Sequence, residues 1–233
     1  MDVKKHCVFV TGGTGYVGRP PIDDLLQRGH DVRALVRPGS EGKLPAGCQA
    51  VMGNALDGNS YRDQIRPADT FVQLVGVSHP NPSKAEQFRS VDLASASGAV
   101  EAALEAGVEH FVYLSVAHPA PVMKAYIEVR VACEMMIRES GLNATILRPW
   151  YVLGPGHRWP YALLPMYWLL GQLPATREGS QRLGLVTLEQ MTRALLIAVE
   201  NPAPGVRIVE VPEIRSPSQF AASIRARSTD KSH

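Results

Sequence analysis

The chain has 233 residues, 45% of them hydrophobic, enough for one globular domain with a full core or one domain with a small appendage. Lys and Arg number 24 against 22 Asp and Glu, a formal +2 with no long single-sign block, and this balance argues against a nucleic-acid-binding surface. No run of eighteen apolar residues exists, which argues against a membrane-spanning helix, and neither the three cysteines nor the seven histidines have metal-ligand spacing.

In chain order, "MDVKKHCVFV" passes from Met directly into strand-like sequence, so no signal peptide is expected. Cys7, Cys48 and Cys133 are odd in number and far apart, so they read as buried thiols of a reducing, cytoplasmic compartment. Short apolar runs rich in β-branched residues predict seven strands: "CVFVT", "DVRALVR", "CQAVMG", "TFVQLVGV", "HFVYLSV", "NATILRP" and "VRIVEV". Between several of them lie helical periodicities. Ile22, Leu25 and Leu26 share one face and stop at Gly29; Val100, Ala103 and Leu104 share another and stop at Gly107. Thr187 is placed as the N-cap of "LEQMTRALLIAVENP". The closing Arg225, Arg227 and Lys231 read as a solvated end. Apolar strands alternating with helices predict one α/β domain over 1–233, doubly wound and Rossmann-type, with a mainly parallel sheet. Beyond Gly154 the alternation weakens and Pro, Trp and Tyr become frequent, so 154–185 is expected to form a small C-terminal lobe lining a pocket.

The first turn carries the chemistry. A strand, then Gly12-x-x-Gly15-x-x-Gly18, then a helix is the context in which glycines mean dinucleotide binding. The first permits the bend, the second lets N–H groups approach a pyrophosphate, and the third lets helix and strand pack closely. The helix N-terminus adds positive potential for the anion. Gly12, Thr14, Gly15, Tyr16, Val17 and Gly18 are therefore the candidate cofactor cradle. Nineteen positions after Gly18 stands Arg37, and no carboxylate ends that second strand. A planar, permanently charged guanidinium suits a 2′-phosphate, so NADP(H) is expected in preference to NAD(H). Arg19 and Lys43 add charge nearby, and the bland alternative is an exposed arginine.

The stretches "TGGTGYVG", "RGHDVRALVR", "VMGNALD", "VDLASASGAVEAALEAGVEHFVYLSV", "YIEVRVACE" and "SGLNATILRPWYVLGPG" follow one another in the order of a known family. They resemble the short-chain dehydrogenase/reductase superfamily, in particular its extended and atypical, NmrA-like branch of NAD(P)-binding proteins. The resemblance implies that Asn54 and Ala55 lie near the adenine, Asn54 standing where the family has an aspartate. It places Leu74, Val75 and Gly76 beneath the ribose, and Pro149, Tyr151 and Val152 near the nicotinamide. Ser115 takes the place of the serine beside the nicotinamide, without the second Ser or Thr common in catalytic relatives.

The family's chemistry resides in a Tyr-x-x-x-Lys pair, whose lysine holds the ribose and lowers the tyrosine pKa from ~10. Tyr126 and Arg130 occupy those positions, so Tyr126, Arg130 and Ser115 are the candidate catalytic residues, with Arg130 and Ser115 also touching the cofactor. Arg130 keeps the charge but not the shape, and Glu134, one turn on, is expected to pair with it. Ile127, Val131 and Met135 mark the neighbouring core face; the bland alternative for Tyr126 is an ordinary amphipathic-helix residue.

The segment "PWYVLGPGHRWPYALLPMYWLLGQLP" corresponds to the family's substrate-covering lobe, with His157 and Arg158 at its start; the alternative is a buried helix. The expected function is an NADPH-dependent oxidoreductase acting on a small apolar carbonyl or quinone-like acceptor, as a monomer or weak dimer. One alternative is a non-catalytic NADP(H)-binding sensor or assembly factor, since some members of this branch bind NADPH without demonstrated catalysis. A second is a nucleotide-sugar epimerase or dehydratase.

Overall fold

A computed structural model describes residues 4–78, 80–120, 122–155 and 183–229. Seven parallel strands form one sheet: β1 Cys7–Thr11, β2 Asp31–Val36, β3 Gln49–Met52, β4 Thr70–Gln73, β5 His110–Leu114, β6 Ala144–Leu147 and, late in the chain, β9 Val206–Val209. Their spatial order is β3-β2-β1-β4-β5-β6-β9, and every neighbouring pair is parallel. The order reverses between β1 and β4, where a doubly wound sheet opens a crevice at its carboxyl edge. A separate parallel pair joins β7 Tyr151–Leu153 to β8 Leu185–Thr187, which the sequence pattern did not predict.

The helices cover both faces. They are α1 Arg19–Gln27, α2 Ala85–Gln87, α3 Ala94–Ala106, α4 Lys124–Glu139, α5 Leu188–Glu200, α6 Val211–Arg215 and α7 Pro217–Thr229, with a π-helical turn at Phe88–Leu93 between α2 and α3. On one face Phe9, Phe71 and Phe111 stand side by side on β1, β4 and β5, with ring centroids 5.3 and 5.2 Å apart, under α3 and α4. On the other, Val8, Val10, Val72 and Val112 meet α1 and α5. Alternate residues of the central strands β1, β4, β5 and β6 are thus buried on opposite sides, as continuous apolar strands require, whereas the edge strand β3 buries only Val51. Gly29 and Gly107 end α1 and α3 in the left-handed region, and Thr187 opens α5 with a reciprocal capping box to Gln190.

Three expectations need correction. The buried stripe of α4 is Val129, Cys133 and Ile137, whereas Met135 is 53% exposed and Ile127 and Val131 only partly covered. Leu104, expected inside α3, is also exposed. Of the cysteines only Cys133 is buried; Cys7 and Cys48 are half-covered, and all three are free thiols. The segment 156–182, with His157, Arg158 and most of the expected lobe, lies outside the described residues.

The amino edge of the sheet is built on neutral histidine. His110, at the start of β5, is fully buried with Nε2 3.0 Å from Thr145 Oγ1. Burial, then the charge of Arg207, pushes its pKa down to about 3. Folded His110 therefore resists the proton that the unfolded chain accepts below about pH 6.5. Its stabilising contribution is complete above that pH and is lost as pH falls towards 3, at up to about 1.4 kcal/mol per pH unit. Denaturant titrations at pH 7 and pH 5 are expected to show roughly 2 kcal/mol less stability at the lower pH, with a smaller loss in His110→Gln. Equal losses in both proteins would remove His110 from the account.

Candidate functional site

The glycine turn lies between β1 and α1, at the crevice. Gly12 has φ +75°, and a Cβ there would sit 2.8–2.9 Å from backbone atoms of Leu74 and Val75. At Gly18 a Cβ would meet the Gly12 carbonyl oxygen at 2.4 Å. Both glycines are required by the chain's own packing, of the turn against the end of β4 and of α1 against the turn. Gly15 differs, because it is exposed and a Cβ there would meet only the Gly12 carbonyl, at 3.1 Å. The Gly15 amide donates within the turn to Gly12 O at 3.0 Å, and with no side chain at this second glycine the surface of the turn stays open before the N-terminus of α1, the arrangement that suits the approach of a pyrophosphate. Thr14, Tyr16 and Val17 are half-buried around it, and the Tyr16 hydroxyl reaches so close to Gly154 that a Cβ there would be 2.3 Å away.

Arg37 follows directly on β2, exposed and with no side-chain partner among the described residues. Asn54 is also exposed; its carbonyl caps its own turn by accepting from the Leu56 amide at 3.1 Å. Ala55 packs on the core beside it. Leu74 and Val75 are half-buried next to the glycine turn. The carboxyl ends of β5 and β6 are tied together by Ser115 N–H to Leu147 O (2.8 Å) and Ala117 N–H to Pro149 O (2.9 Å), which carries Pro149, Tyr151 and Val152 to the same edge.

Tyr126, Arg130 and Glu134 lie on successive turns of α4, on the stripe turned towards this edge. The Tyr126 ring is half-buried, 4.9 Å from Phe88. Burial pushes its hydroxyl pKa up while Arg130 opposes the rise. Arg130 itself is almost wholly buried. It is paired with Asp92 at 2.5 Å and donates to Tyr113 Oη (3.1 Å) and Leu114 O (2.8 Å), with its guanidinium 5.2 Å from the Tyr126 ring centre. Asp92 belongs to the π-helical turn, and its other oxygen accepts from the Val77 amide at 3.1 Å. Gly76 covers the pair so closely that a Cβ would be 2.3 Å from Arg130 Nη2.

Ser115, at the end of β5, donates its hydroxyl proton to Glu134 at 2.6 Å. Glu134 also accepts from Arg148, which reaches on to Glu210 at 2.8 Å, and His118 Nε2 stands 3.5 Å away. Burial alone would raise the Glu134 carboxyl, but Arg148 and Ser115 together hold it below the usual range. The expected pairing of Glu134 with Arg130 is therefore replaced by two separate pairs, Arg130 with Asp92 and Glu134 with Arg148. Sequence reasoning missed Asp92, Arg148 and Glu210, which lie on the π-helical turn, just beyond β6 and between β9 and α6, and bear no periodic relation to α4.

Residues 12–158 match the family model described as NAD(P)H-binding.

The chain belongs to that family.

It is NAD(P)-binding, its relatives include oxidoreductases, and it shares its fold with a short-chain dehydrogenase/reductase superfamily protein from Agrobacterium tumefaciens at TM-score 0.65 and 19% identity. It is 27% identical over 227 residues to the 3-diazoavenalumate denitrifying reductase of Streptomyces sp, covering 85% of this chain and 73% of that protein. To the ceramide reductase of Caulobacter vibrioides it is 27% identical over 210 residues, covering 89% of this chain and 65% of the relative. The fold is that of the Bordetella bronchiseptica enzyme WbmH in complex with NAD+, with TM-score 0.66, 22% identity and coverage of 88% of this chain and 75% of that one. Among the described residues no helix is long and apolar enough to cross a membrane, and no cluster of three or more His, Cys, Asp or Glu could hold a metal.

Proposed function

We propose that this member of the NAD(P)H-binding family is an NADP(H)-dependent reductase of a small apolar carbonyl or quinone-like acceptor, with Tyr126 as proton donor. The observation that carries the reading is the bare backbone at Gly15, set at the same sheet edge as Ser115 and the Tyr126 stripe of α4. The amides of the Gly12 to Gly18 turn, apart from those of Gly15 and Gly18, which donate to Gly12 O and Gly15 O, would hold the pyrophosphate, Arg37 the 2′-phosphate, and Asn54 and Ala55 the adenine. Leu74 and Val75 would lie under the ribose, and Pro149, Tyr151 and Val152 beside the nicotinamide. NADPH held there would supply the hydride that the acceptor carbon takes up. Tyr126 gives its proton to the acceptor oxygen as charge develops there, and Arg130, stacked at 5.2 Å, supplies the nearby positive charge. The apolar acceptor is supported by the aromatic sequence beyond Trp150 and by the likeness to a ceramide reductase.

A second reading, an NADP(H)-binding sensor without turnover, is favoured by one feature: Ser115 and Arg130 are both engaged internally, by Glu134 and Asp92. NADPH consumption against a panel of quinones and aldehydes separates the two. Acceptor-dependent oxidation is expected; NADPH binding without oxidation by any acceptor would hand the case to the sensor.

For the 2′-phosphate, Arg37→Ala is expected to weaken NADP(H) binding by about 1.5–3 kcal/mol, the worth of charge-assisted hydrogen bonds, and to leave NAD(H) binding nearly unchanged. Calorimetric titration of both cofactors checks this. Equal loss for both would show that Arg37 does not read the phosphate.

A further inference from the structure

Arg130 stands where the charge for Tyr126 must come from, yet it does not act alone. Its guanidinium is buried against the Asp92 carboxylate, and the pair is closed on one side by Gly76 and on the other by the Tyr113 ring. Asp92 is held in turn by the Val77 amide and carried by a π-helical turn whose Phe88 packs on the Tyr126 ring. A π-helical turn inside a helix re-aims the side chains it carries. Here it brings Asp92 under the β4 loop and Phe88 against the tyrosine.

We propose that Asp92 is a positioning residue that sets the acid strength of Tyr126, by neutralising the Arg130 charge beside it and fixing the guanidinium away from solvent. The inference rests on the reductase reading for its consequence in turnover, but not for the property itself. Four groups face the tyrosine or its cation: Arg130 and Cys133 on α4, Asp92 on the π-helical turn, and Tyr113 on β5, which accepts from Arg130. Arg130 favours the tyrosinate and Asp92 opposes it, as signs of charge require. An arginine so placed is permanently charged, so the carboxylate opposite it is the group that decides how much of that charge Tyr126 feels.

The pair lends itself to a charge cycle. Asp92→Asn, Arg130→Gln and the double variant would be titrated from neutral to alkaline pH by tyrosinate absorbance. Each is read against the same protein carrying Tyr126→Phe, so that the difference reports Tyr126 alone. Asp92→Asn leaves the cation and is expected to move the Tyr126 transition down by about one pH unit. Arg130→Gln leaves the carboxylate and should move it up, while the double variant, neutral overall like the native pair, should return close to wild type. A merely structural role would shift all three in one direction or none, and would overturn the proposal. Asp92→Asn leaves a buried cation without its partner and can fail to fold. In that case Arg130→Gln and the double variant still decide, because equal transitions in the two would refute the charge account. The titration needs no turnover, so an absence of any reducible acceptor would defeat the reductase reading without touching this result. If an acceptor is reduced, the pH profile should move with the tyrosinate titration across the same variants.

Discussion

Tyr126→Phe is expected to cut acceptor-dependent NADPH oxidation by roughly 10²–10⁴-fold, the usual contribution of a general acid, while NADPH affinity stays nearly intact. The substitution removes one oxygen. The ring contacts survive, since Phe can keep the packing on Phe88 at 4.9 Å and the stacking of Arg130 at 5.2 Å. The helix and the Asp92–Arg130 pair should therefore stay in place, and the loss should fall on turnover with little change in cofactor affinity. Steady-state kinetics with the best acceptor, together with a binding titration, measure the two quantities separately. Undiminished turnover would make the tyrosine structural and leave the proton to another group.

The second large effect belongs to the glycine turn. Gly12→Ala puts a methyl group 2.8–2.9 Å from the backbone of Leu74 and Val75, at a φ of +75°. Neither obstacle is a side-chain end that can swing aside. The left-handed conformation costs about 1–2 kcal/mol and the overlap a further 1–3 kcal/mol, so a loss of roughly 2–5 kcal/mol in folding stability is expected together with the loss of NADPH binding. Gly15→Ala is the informative contrast. Its added carbon meets only the Gly12 carbonyl, at 3.1 Å, and faces outward. It should melt near the wild type yet bind NADPH at least about tenfold more weakly, because a methyl group costing more than about 1.4 kcal/mol at the pyrophosphate suffices for that. If Gly15→Ala binds NADPH normally, the bare backbone there is not the cofactor's seat.

Most strands of the main sheet were legible because they are short apolar runs rich in β-branched or aromatic residues, as in β1, β4, β5, β6 and β9. The pair of β7 and β8 was not, since each contributes three residues and they are separated by a long stretch of chain. Helix α4 shows where periodicity stops deciding. Ile127, Val131 and Met135 form one stripe of spacing four, and Val129, Cys133 and Ile137 form another; only tertiary packing selects the second. The Tyr126, Arg130 and Glu134 stripe was correctly read as sharing a face, but its partners were not. Asp92 and Arg148 approach from the π-helical turn and from just beyond β6, and no local spacing rule connects them to α4.

The central claim is that the bare turn at Gly15 and the exposed Arg37 form a seat for NADP(H). Isothermal titration of the full chain with NADPH and with NADH, at one ionic strength, tests it most directly. Expected is a single saturable site for NADPH, with NADH bound at least about tenfold more weakly for want of the phosphate that Arg37 is proposed to hold. Absence of binding by either cofactor, or NADH bound as tightly as NADPH, would contradict it.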